Sequence, residues 1–142
     1  MIQSVIAKNL VANYRATHYQ IGTGSDSIFL RIDQYSESLA KLLATSQQSS
    51  AVIISADNPY SQQLSNEENL IAHESLRNFL RQHPYPMIES LNIDPTDLWP
   101  AEKSFFVLDL DLSTAKSLGQ QFNQNAIVWI GNDAIPRLIL LR

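Results

Sequence analysis

One short run governs how this chain can fold: Ala51-Val52-Ile53-Ile54-Ser55-Ala56, apolar almost throughout and bounded by polar loops. Successive side chains of a strand point to opposite faces of its sheet. Val52, Ile53 and Ile54 in a row therefore put apolar groups on both faces. A strand of that kind belongs in the interior of a sheet, buried above and below. The rest of the chain has to be arranged around it.

Helical spacing of Ile2, Val5, Ile6, Leu10 and Tyr14 predicts a helix over residues 2–15. A short strand at 18–21, a Gly- and Ser-rich turn and a strand at 27–32 follow. Ser36 can cap a helix running to Ala44, with Leu39, Leu42 and Leu43 on its inner side. After the loop at 57–64, Ser65 and Glu68 have capping-box spacing, and Ala72, Leu76, Phe79 and Leu80 form one stripe that Pro84 and Pro86 end. Strands are expected at 86–91 and 104–110, on either side of a loop holding Trp99. Ser113 is expected to cap a helix whose apolar side is Ala115, Leu118 and Phe122. Strands at 126–130 and 135–141 are joined by the hairpin signal Gly131-Asn132-Asp133, and Pro136 puts the last one at a sheet edge.

From 51 to 130 the order is strand, helix, strand, strand, helix, strand, that of the ferredoxin-like βαββαβ arrangement. The expected fold is α+β: two layers, a mixed and mostly antiparallel sheet with helices on one face. The βαββαβ core occupies 51–130, with an N-terminal helix and a C-terminal hairpin strand added. No linker or repeat interrupts residues 1–142, so a single domain is expected.

Composition narrows the chemistry. The ten Lys and Arg are scattered through a chain of net charge −4, whereas a nucleic-acid backbone asks for concentrated positive charge. There is no cysteine, which removes disulfides, thiolate catalysis and Cys-based metal sites and fits a reducing compartment. Neither the first fifteen residues nor the run at 135–141 is apolar and long enough for a signal peptide or a bilayer span. A cytoplasmic protein without nucleic-acid or membrane partners is expected. With only four glycines, a glycine-rich phosphate cradle is out of reach. His18, His73 and His83 lack ligand spacing with one another, so no metal site is assigned, and the cofactor is left open.

Several stretches carry a family resemblance. Ser55-Ala56-Asp57-Asn58-Pro59-Tyr60-Ser61, followed by Leu64-Ser65 and Asn69, resembles the small bacterial family called domain of unknown function 3293. So do Trp99-Pro100-Ala101-Glu102-Lys103-Ser104 and Phe122-Asn123-Gln124-Asn125-Ala126-Ile127-Val128-Trp129, and Tyr14 to Tyr19 looks like the family's opening. The resemblance covers nearly the whole chain and implies no activity. Two positions depart from it. Ile88-Glu89-Ser90 stands where the family suggests Gly-Glu-Gly, which argues against close backbone approach to a ligand there. Asp57 stands where an uncharged, often aromatic residue is expected.

The strongest local candidate is the loop that carries a central strand into a helix. Asn58, Tyr60, Ser61 and Asn66 offer donors beside a helix start, which favours anions, and Asn69 faces inward at the same mouth. The competing explanation is that Asn58 and Asn69 merely shape the turn. Glu89 and Glu102 are each expected at a strand end, on adjacent strands. They could form an acid–base pair or hold a hard cation, or they could simply be solvated or bonded to Arg77 or Lys103. Trp99 could wall a pocket or pin its loop to the core. Gln124, beside Asn125, could read a ligand or tie off a helix end. Asp109 and Asp111 read as an exposed strand end leading to a helix cap.

Two functions fit. The first is a small-molecule-binding domain for a small anionic or polar ligand, open to hydrolytic activity, with its pocket after strand 51–56. It would be lined by Asn58, Tyr60, Ser61, Asn69, Glu89, Trp99, Glu102 and Gln124. The alternative is a non-catalytic interaction or regulatory domain that forms a homodimer or binds a partner through a sheet edge, with 135–141 the edge to donate. Whether the domain is an enzyme is left open.

Overall fold

The structure, a computed structural model, describes residues 4–142. These form four α-helices and one seven-stranded sheet: α1 (Lys8–Ala16), β1 (His18–Ile21), β2 (Ile28–Leu30), α2 (Glu37–Thr45), β3 (Ala51–Ser55), α3 (Asn66–Arg81), β4 (Met87–Ile93), β5 (Glu102–Leu108), α4 (Leu112–Gln121), β6 (Ala126–Ile130) and β7 (Pro136–Leu140), with one 3-10 turn at Pro59–Ser61. The strand order is β2-β1-β4-β5-β3-β6-β7. Every paired neighbour is antiparallel, so the expected mixed pairing does not occur.

The apolar run does sit inside the sheet. β3 lies between β5 and β6, and all five of its residues are buried. On one face Val52 and Ile54 pack with Phe105, Val107 and Ile127 beneath Leu76 and Leu80 of α3 and Ala115 and Leu118 of α4. On the other, Ala51 and Ile53 pack with Phe106, Leu108, Val128 and Ile130 against Leu39 and Leu43 of α2. The expectation of helices on one face is therefore corrected: helices cover both. The cause lies in β3 itself. A strand apolar at odd and even positions needs two covers, and burying a side chain the size of isoleucine contributes about 1.5–3 kcal/mol.

The sheet also curls into a half-barrel. Past its two ends, the Asp33 N–H donates to the Pro136 carbonyl at 2.7 Å, and the Ser36 N–H to the Ala134 carbonyl at 3.1 Å. These bonds draw the segment after β2 towards the start of β7, and the face carrying α2 becomes the concave one.

Helix ends follow local chemistry. Ser36 accepts from the Leu39 N–H, and Ser65 and Glu68 form the expected capping box. The helix expected at 2–15 starts only at Lys8, and Ile2 lies outside the described residues. The Ile6 N–H donates to Ser4 Oγ at 3.1 Å, a local bond that competes with a helical turn. The cap of α4 is Asp111, not Ser113: its carboxylate accepts from the Thr114 N–H at 3.1 Å. No helix among the described residues is long and apolar enough to cross a membrane.

Candidate functional site

At one end the concave face turns polar. Ser55, Ser90 and Ser104 are register partners on β3, β4 and β5. Ser90 and Ser104 share a hydrogen bond of 2.7 Å, and Ser104 Oγ donates to Asn92 Oδ1 at 2.8 Å. Glu102 pairs with Asn92 in the same register, which aims both side chains to this face.

The loop leaving β3 closes over that end. Asn58, Tyr60 and Ser61 have φ of 48°, 55° and 59°, a left-handed conformation costing L-residues about 1–2 kcal/mol each. Asn58 holds the loop in place. Its N–H donates to Asn69 Oδ1 at 2.9 Å, and its Oδ1 accepts from Asn69 Nδ2 at 2.8 Å and the Leu64 N–H at 2.9 Å. Its Nδ2 donates to Glu102 Oε2 at 2.6 Å. Gln124 Nε2 donates to the Asp57 carbonyl at 3.1 Å and the Phe122 carbonyl at 3.3 Å, tying the loop to the end of α4.

Two carboxyl groups meet here. Asp57 is buried, and its Oδ2 accepts from the Lys103 N–H at 2.9 Å. Its Oδ1 has no hydrogen-bond partner among the described residues. Burial raises the Asp57 pKa, opposed by the Lys103 N–H and by the Lys103 charge. Burial lifts the Glu102 carboxyl to about 7; the Asn58 hydrogen bond opposes the lift and the Asp57 charge adds to it. A carboxyl of that kind exchanges its proton near neutral pH, as a general acid or base must.

A second set of polar groups faces them. Asn125 Nδ2 donates to the Tyr14 hydroxyl at 2.9 Å and to Ser61 Oγ at 3.2 Å, and Tyr14 and Ser61 bond each other. The Tyr19 hydroxyl donates to the Tyr14 carbonyl at 3.0 Å, holding α1 across the mouth. Two adjoining hollows result, sharing Tyr14, Ser61, Asn92 and Glu102 as walls. One, of about 50 Å³, reaches Ser55, Asp57 and Asn125 over the sheet. The other, of about 60 Å³, opens past Leu10, Trp99 and Pro100. A water needs about 10–15 Å³ of such space, so each takes a few non-hydrogen atoms.

The candidates thus divide. Asn58, Ser61, Trp99, Glu102 and Gln124 gather around these hollows. Asn69 braces Asn58 and lines a neighbouring hollow beside α3. Tyr60 points away: its hydroxyl donates to Asn123 Oδ1 at 2.9 Å, and the Arg142 guanidinium lies 4.1 Å from its ring centre. Glu89 is the main correction. It pairs with Phe105, whose ring stacks on His73 of α3, so it faces the convex side. There it bonds Arg77, and that hydrogen bond, helped by the charges of Arg77, His73 and Lys103, keeps its pKa low against the opposing effect of burial. The pair of Glu89 and Glu102 does not exist; they lie on opposite faces of the sheet.

Tyr14 and Asn92 complete the cluster without having been expected in it, whereas Asn125 was weighed beside Gln124 and Asp57 opens the candidate loop without having been given a role of its own. Tyr14 and Asn125 belong to stretches carrying the family resemblance, and Asp57 is its departure, so the available signal was motif membership. Asp94 accepts from the N–H groups of Thr96, Leu98 and Trp99 and shapes its own loop. Among the described residues no three His, Asp or Glu side chains converge as a metal site would require.

A family model described as protein of unknown function (DUF3293) matches residues 54–127, from the end of β3 into β6. No curated protein and no solved structure matches the chain.

Proposed function

We propose that this chain, which belongs to the DUF3293 family, binds a small polar ligand in the hollows around Glu102. The observation that carries the reading is Glu102 itself: a largely buried carboxyl held at 2.6 Å by Asn58 at the wall common to both hollows. An active or binding site is where such perturbed, precisely oriented groups collect. Trp99, Leu10 and Pro100 supply an apolar flank for the ligand's carbon part.

The lining favours a ligand carrying hydrogen-bond donors over an anion. Neither hollow has a Lys or Arg in its walls. The start of α3 is closed by its own capping box and carries Glu67 and Glu68 in its first turn, which repel negative charge. Glu102 could also shuttle a proton in a hydrolytic step, the form of catalysis this reading allows.

A cytoplasmic setting belongs to the same reading and is supported by the lack of cysteine. So does a ferredoxin-like description of 51–130, supported by the order β4-β5-β3-β6 with α3 and α4 on one face. The alternative of an interaction domain has β7 at a sheet edge in its favour. Yet Pro136 takes a backbone donor from that edge and Arg137 adds a charge, the usual means of discouraging edge pairing.

Amide chemical-shift mapping against a library of small amines, amides, polyols and carboxylates tests the proposal. Binding should perturb Asn58, Ser61, Glu102 and Asn125 together and disappear in Glu102→Gln. Perturbations confined to other surfaces, or none at all, would overturn it.

A further inference from the structure

Resting on that reading of the site, we infer that its ligand is a small organic cation, a primary ammonium group taken by the carboxylates of Asp57 and Glu102. The first ground is an unmet acceptor. Asp57 is only 6% exposed, lines the hollow over the sheet, and leaves Oδ1 without a hydrogen bond among the described residues. A buried carboxylate oxygen with no partner is costly, and what satisfies it has to be a donor.

The second ground is the sign of the surroundings. Glu102 shares this hollow, and neither a Lys nor an Arg enters it. Lys103 lines the neighbouring hollow beside α3, whose walls Asp57 also reaches, and its charge acts on Asp57 from there, but it forms no ion pair with Asp57 among the described residues. Lys103 offsets the Asp57 charge only in part and from outside this hollow; within it the Asp57 charge bears on Glu102, and a cation placed between the two would relieve both. The hydrogen bonds already made point the same way. Asn58 Nδ2 occupies Glu102 Oε2, and the Lys103 N–H occupies Asp57 Oδ2. Each carboxyl keeps its second oxygen for a newcomer.

The third ground is size and shape. An ammonium carries three donors and no acceptor, which suits an acceptor-rich hollow of about 50 Å³. A short alkyl tail would run out past Leu10 and Trp99 in the adjoining hollow. A hard divalent ion held by protein groups alone needs more carboxylates than these two, and among the described residues no three His, Asp or Glu side chains converge to supply them.

Three probes of similar size separate the cases: n-propylammonium, 1-propanol and propionate, titrated into the whole chain by thermal shift and amide chemical-shift mapping. The inference expects saturable stabilisation by propylammonium alone, with Asn58, Ser61 and Asn125 perturbed. Asp57→Asn and Glu102→Gln should each weaken it tenfold or more, while Glu89→Gln, on the other face, leaves it unchanged. Asp57→Asn keeps an acceptor for the Lys103 N–H, and if it fails to fold, Glu102→Gln carries the comparison. Equal or tighter binding of propanol or propionate at these residues would overturn the cation while leaving the binding reading intact. If none of the three shifts these residues, the cation is overturned, and the wider library decides whether the binding reading survives.

Discussion

Replacing Asn58 tests how the site is built. Asn58→Ala removes three side-chain hydrogen bonds at once: to Glu102, from Asn69 and from the Leu64 N–H. Neutral bonds of this kind contribute about 1 kcal/mol each and one to a charged group about 1.5–3. Alanine must also adopt φ of 48°, which asparagine tolerates and alanine does not, for about 1 kcal/mol more. The loss should total about 5 kcal/mol, against a whole-domain stability of about 5–15. Asn58→Gly loses the same bonds but accepts the left-handed backbone, so it should be about 1 kcal/mol more stable than Asn58→Ala. Urea unfolding followed by far-ultraviolet circular dichroism measures both, and an unchanged denaturant slope would show that only stability has moved. A loss below about 1 kcal/mol in Asn58→Ala, or a glycine variant no better than the alanine one, would refute the role given to this residue.

Folding raises the Glu102 pKa from 4.5 to about 7, so stability relative to Glu102→Gln should be greatest below pH 4.5 and fall as pH rises through 7, by about 3 kcal/mol at about 1.4 per unit; parallel urea profiles of the two proteins between pH 4.5 and 8 would contradict the burial. Glu89→Gln, whose partner Arg77 keeps Glu74, should cost less than about 1 kcal/mol because the Glu89 side chain is 54% exposed. A larger loss of melting temperature than that implies would mean the convex-face pair is wrongly weighed. Ser65→Ala should lose about 1 kcal/mol by opening the capping box of α3, measurable in the same urea assay, and no loss would show the cap to be idle.

What could be read in advance depended on the range of the physics involved. The interior place of β3 and the caps at Ser36 and Ser65 follow from a few neighbouring residues, and the structure has them. The start of α1 failed because a bond between Ser4 and Ile6, equally local, outweighed the helical spacing of Val5 and Ile6. The site is different in kind. Tyr14 and Asn125 meet across 111 residues of sequence, and Asp57 reaches Glu102 only because β3 and β5 are neighbours in the sheet. Glu89 shows the point most sharply. It and Glu102 fall on the adjacent strands β4 and β5, as expected, but only Glu102 is at a strand end; Glu89 lies within β4. Which face each meets depends on register, since a shift of one residue sends a strand's side chains to the opposite side. In the observed register Glu89 opposes Phe105 and Glu102 opposes Asn92. Had the two strands paired one residue differently, both glutamates would share a face of the sheet, as the expected pair requires. Register is fixed here by which residues the two cores accept: Phe105 and Val107 beneath α3 and α4, Phe106 and Leu108 within the curl. The position of the carboxylates is thus a consequence of apolar packing several residues away, and a motif around either glutamate could not have carried it.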